Sequence, residues 1–84
     1  MNYSISILRQ AQKVLARLPQ NSYERVRDAI FSLKQNPRPY GCLKLTEREG
    51  WRIRIGDYRV IYDIDDDNKI ITILDIGSRQ NIYR

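Results

Sequence analysis

Arg52, Arg54 and Arg59 crowd into one short stretch, GWRIRIGDYRVIYDI, residues 50–64. Side chains alternate across a strand with period two. Trp51, Ile53 and Ile55 therefore share one face, and Arg52 and Arg54 share the other. Arg59 follows the Gly56-Asp57 turn and reaches the same face in a paired hairpin. Like charges set side by side on a sheet repel, and an anion bound between them removes that penalty. The chemistry such a group performs is stabilisation of a phosphate, and above all of the charge that builds on one during attack. The residues alone fit a second arrangement equally well: a solvated edge whose long arginine stems splay apart.

The closing segment, IGSRQNIYR, adds Arg79, Tyr83 and Arg84. A tyrosine beside guanidinium groups can stack on a base or exchange a proton, and nearby positive charge favours its phenolate. It can equally pack against the end of a sheet. Lys44 and Arg48 flank the polar loop LTEREG, where charges are mixed.

The elements that must position these residues are legible in the same way. Residues 3–8, YSISIL, alternate and predict a strand. Leu8, Ala11, Val14, Leu15 and Leu18 recur at helical spacing and predict a helix over 9–18, which Pro19 ends. Asn21 is the expected N-cap of a second helix over 22–35, with Glu24 as its capping-box partner and NPRPYG as its stop. Residues 51–55, 58–64 and 69–76 predict three more strands, turned by Gly56-Asp57 and by DDDN at 65–68. The last strand, KIITILDI, is apolar on both faces and should lie centrally. The expected fold is α+β, a helical hairpin packed on a mostly antiparallel four-stranded sheet, in the order β-α-α-β-β-β. One domain spans residues 1–84.

The totals restrict the function. Fifteen Lys and Arg against ten Asp and Glu give a net charge of +5, which points to a polyanionic partner or simply to solubility. No histidine is present and there is one cysteine, Cys42. A zinc site and the usual neutral-pH acid–base residue are thereby excluded. Asp65, Asp66 and Asp67 read as solubilising turn residues, so no metal site and no cofactor are expected. No apolar run reaches the ~20 residues of a membrane span. The N-terminus carries no secretory leader pattern, and a cytoplasmic location follows as the expectation.

The run GWRIRIGDYRVIYDIDDDNKIITILDIGSRQNIYR, with the helical hairpin before it, resembles the RelE/ParE superfamily of bacterial type II toxin–antitoxin systems. The most specific parts are RIGDYRVIY and IGSRQNIYR. The resemblance implies a RelE-like mRNA interferase that cuts codons in the ribosomal A site by metal-free attack of the RNA's own 2′-hydroxyl. Residue by residue, it implies a catalytic set of Arg52, Arg54, Arg59, Arg79 and Tyr83, with Lys44, Arg48 and Arg84 contacting RNA or ribosome. It departs from the family pattern where arginines replace lysines at 52 and 54 and where Ser78 replaces a common histidine. The chain also ends one residue after Tyr83, without the C-terminal helix of some members. The implied partners are a RelB-like antitoxin, the ribosome and mRNA, with operator DNA met only through the antitoxin complex and no membrane. Two other readings follow from the same resemblance: a ParE-like gyrase inhibitor that cuts nothing, and a decayed toxin serving only as antitoxin-bound corepressor.

Overall fold

The computed structural model describes residues 2–78. The expectations for Arg79, Tyr83 and Arg84 lie outside the described residues.

Strand β1 (Ser4–Ile7) leads into helices α1 (Arg9–Ala16) and α2 (Gln20–Ser32), followed by β2 (Leu43–Lys44), β3 (Trp51–Ile55), β4 (Tyr58–Asp65) and β5 (Ile70–Ser78). The sheet runs β1-β5-β4-β3-β2. β1 pairs with β5 in parallel, and every other pairing is antiparallel. The α+β order and the central last strand agree with the sequence reading. The fifth strand, β2, is an addition: its two residues are too few to show a period.

One face of this sheet and the inward faces of the helices form the core. Ala11, Val26 and Ile30 from the helices, with Leu33 at the C-cap of α2, meet Ile53, Val60, Tyr62, Ile71, Ile73 and Ile76 from the strands. Ile5 and Ile7 of β1, and Tyr3 just before it, pack on this core, as their alternation predicts.

The expected cap of α2 is corrected. Pro19, with φ −55°, occupies the N-cap position, and Asn21 lies inside the first turn. A proline preset near −65° is a ready entry to a helix. Glu24 accepts from the amide of Gln20 at 2.8 Å, and Asn21 Oδ1 accepts from the Ser22 N–H at 2.9 Å. α2 also stops three residues early, where Ser32 Oγ turns back to donate to the Ala29 carbonyl at 2.7 Å.

The turns hold the hairpin rigidly. Gly56 takes φ +59° at the first position of the β3–β4 turn, which suits a two-residue hairpin connection. Gly50 enters β3 at φ +128°, and a Cβ there would sit 3.0 Å from the Tyr62 carbonyl oxygen. Only glycine lets the two chains approach this closely.

A bulge interrupts the β4–β5 ladder. Ile61 faces Asp75, whereas the next residue, Tyr62, faces Ile73. Leu74 and Asp75 thus oppose the single residue Ile61, and β5 reverses its alternation there. Gln10 of α1 secures this point, donating from Nε2 to the Leu74 carbonyl at 2.8 Å.

Candidate active site

The β3–β4 register places Arg54 directly opposite Arg59, and Arg52 opposite Ile61. All three arginines therefore lie on the sheet face turned away from the helices, because Ile53, Val60 and Tyr62 between them belong to the core. The structure brings together the basic triplet that the alternation predicts.

Their environments differ in a way that alternation does not reveal. Arg54 is exposed, Arg52 is half-buried, and Arg59 is only 6% exposed. Ile61, beside them on the same face, is 4% exposed although it is not part of the helix-side core. The triplet thus grades from solvent into a partly apolar recess. A guanidinium held at the buried end is positioned before any ligand arrives, and its field is screened less than that of an exposed group.

β5 completes the face. Gly77 lies opposite Arg59, and Asp75 lies opposite Ile61. Asp75 is an acidic residue on the basic face, and the sequence reading missed it. Simple alternation from Ile71 and Ile73 assigns Asp75 to the core side. The bulge carries it to the arginine side, where its Oδ1 accepts from the Ile76 N–H at 3.0 Å. The available signal was the conflict itself: a carboxylate in phase with Ile71 and Ile73, and Ile76 out of phase with them. Ser78, the residue before Arg79 in the chain, pairs with Tyr58 at the same end of the hairpin as Arg59.

Lys44 is placed differently from the triplet. It pairs with Trp51, so it projects on the helix side of the sheet, with its ammonium 5.2 Å from the Trp51 ring. Arg38 approaches the same ring at 5.0 Å. These are cation–π distances, and they make Trp51 the centre of a basic cluster at the sheet's edge. Arg48 is exposed in the loop that the Leu45 N–H to Gly50 carbonyl bond closes at 3.0 Å.

Arg38 also fastens its own loop. Its Nη2 lies 2.8 Å from Asp66 Oδ2, and the Tyr3 hydroxyl donates to Asp66 Oδ1 at 2.6 Å. The hydrogen bonds from Arg38, then Tyr3, hold the Asp66 carboxyl below its usual range. Asp65 accepts from the Asn68 backbone and amide at 3.0 and 2.9 Å. These two aspartates are structural ties in the turn and not merely solubilising groups, a correction to the sequence reading. Nearby, Tyr62 donates to the Pro37 carbonyl at 2.7 Å, and burial pushes its phenol well above the ordinary value. Tyr62 is thus a fixed hydrogen-bond donor and no proton acceptor.

The whole arrangement can bind and polarise a phosphodiester on one sheet face, with a separate cation–aromatic cluster at the β2–β3 edge. The family model described as the ParE toxin of type II toxin–antitoxin systems, parDE, matches residues 5–83. In sequence, the chain is 34% identical over 84 residues to the toxin RelE of Mycobacterium tuberculosis, covering 98% of this chain and 87% of that one. In structure, it is similar to the toxin–antitoxin complex RelBE2 of M. tuberculosis at a TM-score of 0.82 and 27% identity, over 94% of this chain and 100% of that one. The archaeal RelE–RelB complex of Pyrococcus horikoshii gives 0.81 and 33%, over 96% and 99%.

Proposed function

Because the chain belongs to the RelE/ParE superfamily and is a RelE-like toxin of a type II toxin–antitoxin system, we propose that it is a ribosome-dependent mRNA endoribonuclease. The observation that carries this reading is the graded arginine face, with Arg59 buried opposite Arg54. A fixed, weakly screened cation on this face suits the charge that builds on a phosphate during attack.

The substrate is the mRNA codon in the ribosomal A site. Its 2′-oxygen attacks the adjacent phosphorus, the bond from phosphorus to the 5′-oxygen breaks, and the products carry a 2′,3′-cyclic phosphate and a 5′-hydroxyl. Negative charge grows on the non-bridging oxygens as the attack proceeds. Arg59 and Arg52 face it from fixed positions, and Arg54 adds a solvent-exposed charge. Preorganised donors of this kind lower the barrier because they need no rearrangement at the moment of reaction. Tyr83, as phenolate, takes the 2′-hydroxyl proton, and Arg79 or water supplies the proton to the leaving oxygen. Guanidinium groups supply the charge stabilisation for which other nucleases use a metal, so no cofactor is required. The ribosome contributes by holding the codon in a reactive geometry, with Lys44, Arg48 and Arg84 serving to dock the toxin. In the cytoplasm, a RelB-type antitoxin with acidic groups over Arg52, Arg54 and Arg79 neutralises the toxin and carries it to operator DNA.

The experiment is incubation of purified protein with mRNA-programmed ribosomes, with and without chelator, followed by mapping of RNA ends. Cleavage at A-site codons that leaves cyclic phosphate ends and persists in chelator is the expected result. Efficient cutting of naked RNA would remove the ribosome from the reading. The ParE description of the matching family model favours a second reading, inhibition of gyrase. A supercoiling assay with the same protein decides between them: inhibited gyrase with intact mRNA would overturn the nuclease.

A further inference from the structure

The nuclease reading leaves the most uniformly charged element unused. Helix α1 packs Ala11 fully into the core, with Val14, Leu15 and Leu18 against it. Its opposite side presents Arg9 and Lys13, and the C-cap residue Arg17 continues the row, all three exposed. They recur every fourth residue, so they form one row with steps of about 6 Å along the helix. Among the described residues, none of the three takes part in an ion pair. No acidic residue precedes Glu24 in the chain.

The dipole favours Lys13 in the last turn and Arg17 at the C-cap, but the start and the spacing of the row work against the helix. Like charges four residues apart destabilise a helix, and Arg9 stands at its first position, where the dipole disfavours a cation. No acidic side chain occupies the first turn to compensate. The helix is nevertheless held firmly, because Gln10 donates to the Leu74 carbonyl at 2.8 Å and Gln12 to the Ile7 carbonyl at 2.7 Å. The three cations therefore stand on a fixed base, on the side of the sheet opposite the arginine face.

We propose that the outward face of α1 is a second RNA-binding surface, on which Arg9, Lys13 and Arg17 hold backbone phosphates of a structured ribosomal RNA strand. The inference rests on the ribosome-directed reading above and extends it to the far side of the molecule. A row of point charges suits a repeating phosphate chain. It does not suit a protein partner, whose interface needs an apolar centre, and between Arg9 and Arg17 the outward face offers only Ala16 and the two glutamines. With basic surfaces pointing in opposite directions, the toxin can be clamped between RNA on one side and its substrate on the other.

The test is the triple variant Arg9→Gln, Lys13→Gln, Arg17→Gln, since glutamine keeps helix propensity while removing charge. Affinity for purified 70S ribosomes is measured from about 50 to 300 mM KCl. Each lost phosphate contact should flatten the log–log salt slope by roughly 0.7 to 0.9. The expected result is a slope shallower by about 2 and at least tenfold weaker binding at physiological salt, with single-turnover cleavage at saturating toxin changed by less than about twofold. The charge-matched control Arg25→Gln, Arg27→Gln, Lys34→Gln, on α2 and just past its end, should alter the slope much less. If the triple variant folds poorly, Lys13→Gln alone carries the test, with a slope change of about 0.7 to 0.9. An unchanged slope, an equal effect of the α2 control, or a loss of antitoxin affinity in place of ribosome affinity overturns the proposal. If the unaltered protein cleaves on ribosomes while the slope stays the same, only this inference fails. If the unaltered protein neither binds nor cuts, the nuclease reading fails with it.

Discussion

Arg59 and Arg54 are direct cross-strand partners with opposite exposures, so the same substitution should have unequal effects at the two positions. Two unit charges about 4 Å apart interact by about 1 kcal/mol in water and by about 4 kcal/mol at an effective dielectric of 20. Arg54 is exposed and belongs near the first limit. Arg59, 6% exposed, belongs nearer the second, in line with the roughly 3–4 kcal/mol lost with one preorganised donor elsewhere. At 1.36 kcal/mol per decade, Arg59→Ala should slow the chemical step by about 10² to 10³, and Arg54→Ala by about fivefold. The assay is single-turnover cleavage of mRNA on programmed ribosomes at saturating toxin, with circular dichroism to confirm folding. Arg59→Lys keeps the charge and loses the planar fork, so its rate should fall between Arg59→Ala and the unaltered protein. An Arg54→Ala effect as large as that of Arg59→Ala would refute the argument from burial. So would an Arg59→Ala rate within about threefold of wild type, because the buried guanidinium would then have no part in the transition state.

Three further outcomes are expected. Tyr83→Phe, bound to ribosomes as tightly as wild type, should lose most of its cleavage rate; an undiminished rate would reduce Tyr83 to a stacking residue. Gly50→Ala meets the Tyr62 carbonyl at 3.0 Å with φ at +128°, so it should cost about 1–3 kcal/mol and lower the melting temperature by some 4–8 °C per kcal/mol; an unchanged melt would contradict the close approach. Asp66→Asn should melt below wild type at neutral pH. Because the folded-state pKa of Asp66 is depressed, its contribution is full above the unfolded value of about 3.9 and is lost as pH falls through the lower folded value. The gap between the two melting temperatures should therefore close in acid, and a constant gap would show that the carboxylate's charge is irrelevant.

Much of this fold was legible because the strands that matter are half-buried. Trp51, Ile53 and Ile55 alternate with Arg52 and Arg54 so cleanly that face, hairpin and register follow from the order of residues alone. Alternation gives the side on which a residue lies and not its depth, so the burial of Arg59 was invisible beside the exposure of Arg54. The side taken by Lys44 was hidden for another reason: its strand is two residues long, and its side of the sheet is set by pairing with Trp51. Asn21 had the chemistry of an N-cap, but Pro19 was already in the right conformation two residues earlier. Asp75 escaped because one inserted residue defeats any count by twos. Arg38 gave no local signal, since its partners Asp66 and Trp51 are distant in the chain. The candidate roles of Arg79 and Tyr83 came from the closing motif and lie outside the described residues.

The bulge at Leu74 and Asp75 divides β5 into two reading frames. Upstream, Ile71 and Ile73 point to the helices; downstream, the frame has shifted, so that Ile76 takes over the core and Asp75 turns to the arginines. One strand thus serves two masters, and a single extra residue is the junction between them. Straightening the ladder with Leu74 kept in place, opposite Ile61, would not be a small adjustment. It would restore strict alternation, offer Asp75 to the apolar core and put Ile76 among the guanidiniums. Fold and basic face would fail together, whereas deletion of Leu74 would remove the bulge, leave both frames on their present sides and cost the Gln10 anchor its carbonyl. At this position the pairing across the bulge, and not the count of residues along β5, decides which side chain meets the core.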